Sequence, residues 1–328
     1  SINVFTYSED FHITGSCLTR NFDETIALVK EILLEPRWDE KEYARLKQAL
    51  ETNLKGQEAN PNAIAASNFR KLVYGDDHIL SIPTSGTFET IKNISMDDLK
   101  AYYNNLSPKN AKFHIAGAVT KSQTEKIIST LNDWNGESIS FPLNNIPKEP
   151  KKGDLYFIDF PEAKQSVLYI GKLALSHGDP NANKLGFANE IIGGGSSGKL
   201  FQTLRIEKGY TYGAYSFISQ YKEIAPYTVT SSVRANATLK SLDIIKEMVA
   251  NYADDFTDKE VELTKNKLLK ANTRAFESLG AKLGILSELS KYDKPDNFIE
   301  LEQNELISMT LEDYKAIINK YLDEKDMI

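Results

Sequence analysis

The sequence predicts an α+β protein of two related domains, each a mainly antiparallel sheet with helices packed on one face. Three observations carry that expectation. Two segments about 215 residues apart are built alike. They are FHITGSCLTRNFDETIALVKEILLEPRWDEKEYARLK from Phe11 and YTVTSSVRANATLKSLDIIKEMVANYADDFTDKEVELTK from Tyr227. Each copy reads as an alternating strand, an amphipathic helix, an aromatic residue and an acidic, Lys-Glu opening to a second helix. Between the copies, Pro142, Pro147 and Pro150 mark a linker. The expected division is a first domain over 1–138, a linker over 139–153 and a second domain over 154–328.

Taken in chain order, the first copy opens with a strand from Phe11, followed by a helix that ends before Trp38. The next helix, from Trp38 to Lys55, places Tyr43, Leu46, Leu50 and Leu54 on one side, as a core-facing stripe requires. ISMDDLKAYYNNL from Ile94 starts a further helix, with Ser95 and Asp98 spaced as a Ser/Thr-x-x-acid cap. Its counterpart from Ile307 carries Thr310 and Asp313 at the same spacing. The strand AKFHIAGAV follows in the first copy only. The second copy is preceded by strands and a glycine-rich segment over Leu155 to Ile218, whereas the first has only Ser1 to Asp10 ahead of it. Either the first domain is natively short, or roughly 60–70 residues precede Ser1; an N-terminally truncated first domain is the simpler account.

Composition excludes several classes. A net charge of −7 with no basic stripe argues against nucleic acid, since phosphate binding rests on clustered lysine and arginine. No apolar run approaches the ~20 residues that span a bilayer. SINVFTYSED lacks the charged and apolar regions of a signal peptide, an absence that excludes nothing if the chain is a fragment. The single Cys17 excludes an internal disulfide.

The segment from Ile191 to Tyr215, IIGGGSSGKLFQTLRIEKGYTYGAY, is the most informative. Gly193, Gly195 and Gly198 satisfy GxGxxG, and Lys199 nearly completes a Walker loop. Both nucleotide motifs need a strand ahead of the loop. Here Leu185, Ala188, Ile191 and Ile192 have helical spacing, and Leu200 stands where a hydroxyl would hold magnesium. The segment instead encodes helix, glycine turn, helix and strand. Ser196 or Ser197 is expected to cap the second helix. Leu200, Phe201 and Leu204 form its apolar stripe, and Gly209 sits where a C′ glycine would end it. Arg205 then lies in the last helical turn and Tyr212 in the strand that follows.

With those residues in place, the chain resembles the insulinase-like (pitrilysin) family of zinc peptidases, which includes the mitochondrial processing peptidases. The family's second domain type carries GG-x-x-S-x-x-L-F-x-x-L-R-x-x-x-G-x-x-Y. Gly194, Gly195, Leu200, Phe201, Leu204, Arg205, Gly209 and Tyr212 occupy that pattern, with one residue of slack at the serine. The Gln165-Ser166 pair resembles the family's entry strand. The resemblance implies a processing-peptidase-like fold and makes Arg205 and Tyr212 the substrate-binding residues. It implies that they reach across to a catalytic zinc domain and hold substrate backbone there.

A metal site is not expected in this chain. The family's helix carries HxxEH, but His12, His78, His114 and His177 are too far apart for any i, i+4 pair. In the second copy the equivalent run, Leu185 to Ile192, holds Glu190 and no histidine. In the first copy that helix would precede Ser1. The family's third-ligand helix aligns Leu46 and Asn53 with its two glutamates, and asparagine is a poor zinc ligand beside a carboxylate. A shifted register nominates Glu51 but breaks the spacing to Pro61. Cys17 and His12, five apart in one strand-like run, point to opposite faces and form no nucleophile–base pair. Taken on spacing alone, an arginine in a last helical turn and a tyrosine at a strand start fit a purely structural role. The family pattern tips the pair toward function.

The resemblance therefore implies the non-catalytic half of a zinc metalloendopeptidase, inert alone, with zinc supplied by a catalytic partner half, fused or separate. Its substrate is expected to be an extended peptide bound through main-chain hydrogen bonds. A non-peptidase scaffold of the same fold is the alternative. A further one is that the segment ahead of Ser1 carries HxxEH.

Overall fold

The computed structural model describes residues 1–137 and 152–328. The linker expected over 139–153 lies outside the described residues apart from Lys152 and Gly153. The chain divides into two compact units, and two segments cross the division read from sequence. Among the described residues, 1–57, 83–137 and 276–291 form one unit, and 58–82, 152–275 and 292–328 form the other.

The first unit begins with a hairpin of β1 (Ile2–Thr6) and β2 (Phe11–Gly15), paired antiparallel from Ile2↔Gly15 to Thr6↔Phe11. Lys291, at the end of α11 (Leu279–Lys291), holds the hairpin by contacts to Glu9 (3.1 Å) and Asp10 (2.5 Å). Helix α1 (Phe22–Leu34) pairs with α6 (Lys121–Thr130) through Asp23 and Lys126 at 2.6 Å. The short helices α4 (Phe88–Asn93) and α5 (Met96–Tyr103) each start at a reciprocal side-chain cap, Thr87 with Thr90 and Ser95 with Asp98. Trp38 adopts a left-handed φ of 49° and meets the Tyr103 ring edge-on.

Two expectations fail here. In α2 (Glu40–Glu58) only Leu54 of the four-residue stripe is buried, and Leu46 is 57% exposed. The helix is anchored instead through Tyr43 and Lys47, both bonded to the Ile94 carbonyl, which turns Leu46 to solvent. Residues 111–119, read as a strand, form no ladder with any described residue. Extended backbone without a partner strand is not a sheet element.

The second unit centres on an antiparallel sheet in the order β3-β5-β4, from β3 (Gln165–Leu175), β4 (Thr211–Ile218) and β5 (Ala225–Arg234). Period-2 alternation sorts its faces. Leu168, Ala214, Tyr227, Val229 and Val233 face a core completed by α7 (Ala182–Gly193), α9 (Thr238–Ala250), α10 (Asp258–Asn272) and α13 (Leu311–Tyr321). Phe256 is fully buried there, stacked on Tyr314 with ring centres 4.9 Å apart. Helix α12 (Phe298–Ser308) adds Leu306 to the unit's buried residues, and Thr310 with Asp313 caps α13 as the spacing predicted.

The opposite face is not bare. Helix α3 (Pro61–Tyr74) packs Phe69, Val73 and Tyr74 near Tyr169 and Leu173 of β3, so helices cover both faces of that strand. A helix that precedes the linker in sequence thus packs in the second unit. Residues 154–160, within the stretch expected to contain strands, form no ladder with any described residue, and Leu155 and Phe157 are exposed. The repeat itself is visible in the elements: hairpin β1–β2, then α1 and α2, answers to β4–β5, then α9 and α10.

Candidate functional site

The glycine-rich segment folds as helix, tight loop, helix and strand, as its sequence predicted, and the strand lies at the edge of the described sheet. Helix α7 ends at Gly193, where a Cβ would run into Ser216 of β4; only glycine lets helix and strand approach this closely. The approach is sealed by a buried reciprocal pair: Asn189 Nδ2 donates to the Ser216 carbonyl at 2.9 Å, and Ser216 Oγ donates to Asn189 Oδ1 at 2.5 Å.

Helix α8 (Lys199–Phe201) starts after Gly198, without the serine cap the sequence suggested. Ser197 is engaged elsewhere through its hydroxyl, and Ser196 through its backbone carbonyl. The Ser196 carbonyl accepts from Gln202 Nε2 at 2.6 Å, and Ser197 Oγ accepts from Lys267 Nζ at 2.9 Å. From Gln202 to Glu207 the helix is π-wound, with Lys208 N–H reaching back to the Thr203 carbonyl. Such widened turns frequently sit at functional sites, because the extra residue re-aims the side chains around it. Gly209 then ends the helix at φ 64°, a left-handed position that favours glycine.

Arg205 and Tyr212 are brought into direct contact by this turn. Arg205 Nη1 donates to the Tyr212 backbone carbonyl at 2.6 Å. Its guanidinium carbon lies 4.3 Å from the centre of the Tyr212 ring and 5.0 Å from that of Phe201. Phe201 is buried and anchors the stack, whereas Tyr212 is 83% exposed. The Tyr212 hydroxyl has no hydrogen-bond partner among the described residues. The arrangement is an exposed phenol held by its own backbone and ring rather than by packing. Chemically it offers a phenolic O–H donor and several guanidinium N–H donors on one turn.

Behind this pair, Lys267 of α10 reaches the base of the loop. Its ammonium contacts the Glu190 carboxylate and donates to the Gly194 carbonyl at 2.7 Å as well as to Ser197. The sequence reading missed Lys267. One signal was present: Val261 and Thr264 set the inward face of α10, and Lys267 follows at the i+3 position on that face.

The residues that would have to hold a metal do not fit one. Among the described residues no group of three or more His, Cys, Asp or Glu side chains converges. Glu190, at the position equivalent to the metal helix, is already matched by the Lys267 ammonium. Asn53 is exposed and accepts from Gln57 at 2.8 Å. Each histidine has a local role. His78 Nδ1 accepts from Leu80 N–H and its ring stacks on Tyr74; His177 packs against Tyr292; His12 stacks on Phe5. His114 lies 2.8 Å from Ser290 Oγ, with its pKa held below the ordinary value by burial and by Lys112. Cys17 is exposed and lies beyond the end of β2 at Gly15, so it and His12 do not share a strand as expected.

The family description "Peptidase M16 inactive domain" matches residues 93–268, more than half of the chain. The Bacillus subtilis protein named "Uncharacterized zinc protease YmxG" is 25% identical over 329 residues, covering 98% of this chain and 78% of its own. A Helicobacter pylori relative, named "Non-peptidase homolog YmxG", is 22% identical over 336 residues and covers 100% of this chain and 76% of its own. The crystal structure of a peptidase M16 inactive domain from Pseudomonas fluorescens superposes with a TM-score of 0.90 at 23% identity, covering 100% of this chain and 79% of that one. The α+β fold, the glycine turn that carries Arg205 and Tyr212, and the family match lead to one conclusion: the chain belongs to the peptidase M16 inactive-domain family.

Proposed function

We propose that this chain acts as the non-catalytic half of a zinc-dependent metalloendopeptidase, binding an extended peptide and supplying Arg205 and Tyr212 to a catalytic half. The observation that carries the reading is the exposed Tyr212 phenol, fixed by Arg205 yet bonded to nothing else among the described residues. An arginine serving only as a helix-end charge would not need this stacked geometry. Tyr212 donates its hydroxyl to a substrate carbonyl as negative charge develops on the oxygen, an interaction worth about 2.7–4 kcal/mol for a well-placed donor. Arg205 turns its remaining N–H groups to a neighbouring carbonyl and holds the phenol in line. Zinc would come from the partner half, as the family resemblance implies; among the described residues no group of three or more His, Cys, Asp or Glu side chains converges.

The test is peptide hydrolysis by this chain together with its catalytic half, wild type against Tyr212→Phe, with and without a chelator. A chelator-sensitive rate that falls about 10²-fold in the variant supports the reading; an unchanged rate refutes it. A second reading, a non-peptidase scaffold of the same fold, is favoured by the name given to the Helicobacter pylori relative. It requires that Tyr212→Phe leave every partner interaction intact and that no partnered form cleave peptide.

A further inference from the structure

We propose that Lys267 is a positioning residue for the Arg205/Tyr212 pair, its half-exposed ammonium acting as the cation that locks the glycine loop. The consequence for catalysis rests on the function proposed above; the locking itself does not. An ammonium has three N–H donors. Three oxygens converge on this one, and they come from three separate places: the Glu190 carboxylate on α7, the Gly194 carbonyl in the loop, and the Ser197 hydroxyl near its end. Lys267 itself stands on α10, so a single group joins two helices and both ends of the turn between α7 and α8.

The surroundings fit a cation. The C-terminus of α7 presents its partial negative charge there. A Cβ on Gly194 would lie 2.5 Å from the Glu190 carboxyl carbon, so the carboxylate can sit under the ammonium only because residue 194 is glycine. The lock is connected to the site through short links. Ser196, inside the locked loop, receives the Gln202 side chain at 2.6 Å. Gln202 opens the π-wound turn that carries Arg205, and Arg205 fixes the Tyr212 backbone and ring. Releasing Lys267 frees the loop, then the turn, then the phenol.

The experiment is residue-resolved hydrogen exchange on the full chain for wild type, Lys267→Met and Lys267→Arg, run beside peptide hydrolysis with the catalytic half. Lys267→Met is expected to speed exchange over residues 194–206 by at least about tenfold while α9 and α13 stay protected. Lys267→Arg keeps the charge and restores part of the protection. In hydrolysis, Lys267→Met lowers kcat more than it raises KM, and adding Tyr212→Phe to it costs less than Tyr212→Phe costs alone, because the phenol is already displaced. Unchanged exchange in the loop overturns the proposal, and so does a uniform rise across the whole chain. If Tyr212→Phe is silent in the wild type, the proposed function fails while the exchange result still decides the role of Lys267.

Discussion

Replacing Arg205 by alanine separates a functional clamp from a structural one. The side chain makes one charge-assisted hydrogen bond, to the Tyr212 carbonyl at 2.6 Å, and ring contacts at 4.3 and 5.0 Å. A hydrogen bond to a charged group contributes about 1.5–3 kcal/mol, and a cation over an exposed ring about 0.5–1 kcal/mol. Arg205 is half-buried and Tyr212 83% exposed, so solvent screening puts the net near the low end, about 1–2 kcal/mol. A loss of that size lowers Tm by only a few degrees, at about 2–4 °C per kcal/mol. Activity is expected to fall much further, about 10²-fold in kcat/KM, because the substrate loses the guanidinium and the phenol loses its orientation. The conservative change Arg205→Lys should recover little, since an ammonium cannot stack flat between two rings while bonding a carbonyl. Thermal denaturation and steady-state hydrolysis of the partnered protein read the two effects separately. Full kcat/KM in Arg205→Ala would refute the reasoning, as would a collapse of Tm large enough to explain the lost activity.

Further expectations test the frame around the site. Leu204→Ala removes a fully buried side chain beneath the π-wound turn and should cost about 2–5 kcal/mol in denaturant unfolding. Gly194→Ala pushes a methyl group into the Glu190 carboxylate and should both destabilise the chain, by about 1–3 kcal/mol, and speed exchange in the loop. His114 has a depressed folded pKa, so its contribution to stability is fully present above the unfolded value and is lost as pH falls through that value toward the folded one. His114→Gln should therefore flatten the decline in Tm on acidification from neutral pH. Adding a chelator to the chain alone should leave Tm unchanged, because no donor cluster converges among the described residues.

Local sequence determined the parts of this protein that are local in space. Arg205 and Tyr212 fall seven residues apart across one helix end, and Gly209 forces the reversal that makes them touch. The paired caps at Ser95–Asp98 and Thr310–Asp313 were legible for the same reason, since each is closed within four residues. The repeat of hairpin and two helices was legible because periodicity survives where identity does not. What the sequence could not settle depends on partners distant along the chain. The serine cap of α8 gave way because Lys267, 70 residues from Ser197, took the hydroxyl. The α2 stripe stayed exposed at Leu46 because a helix face is buried only where a neighbour meets it, and α2 is anchored to Ile94 through other residues. Helix α3 packed with the second unit because Phe69 and Val73 join Tyr169 and Leu173 in one apolar cluster. Backbone preference acts within a few residues, while burial is settled by whichever surfaces the finished fold brings together.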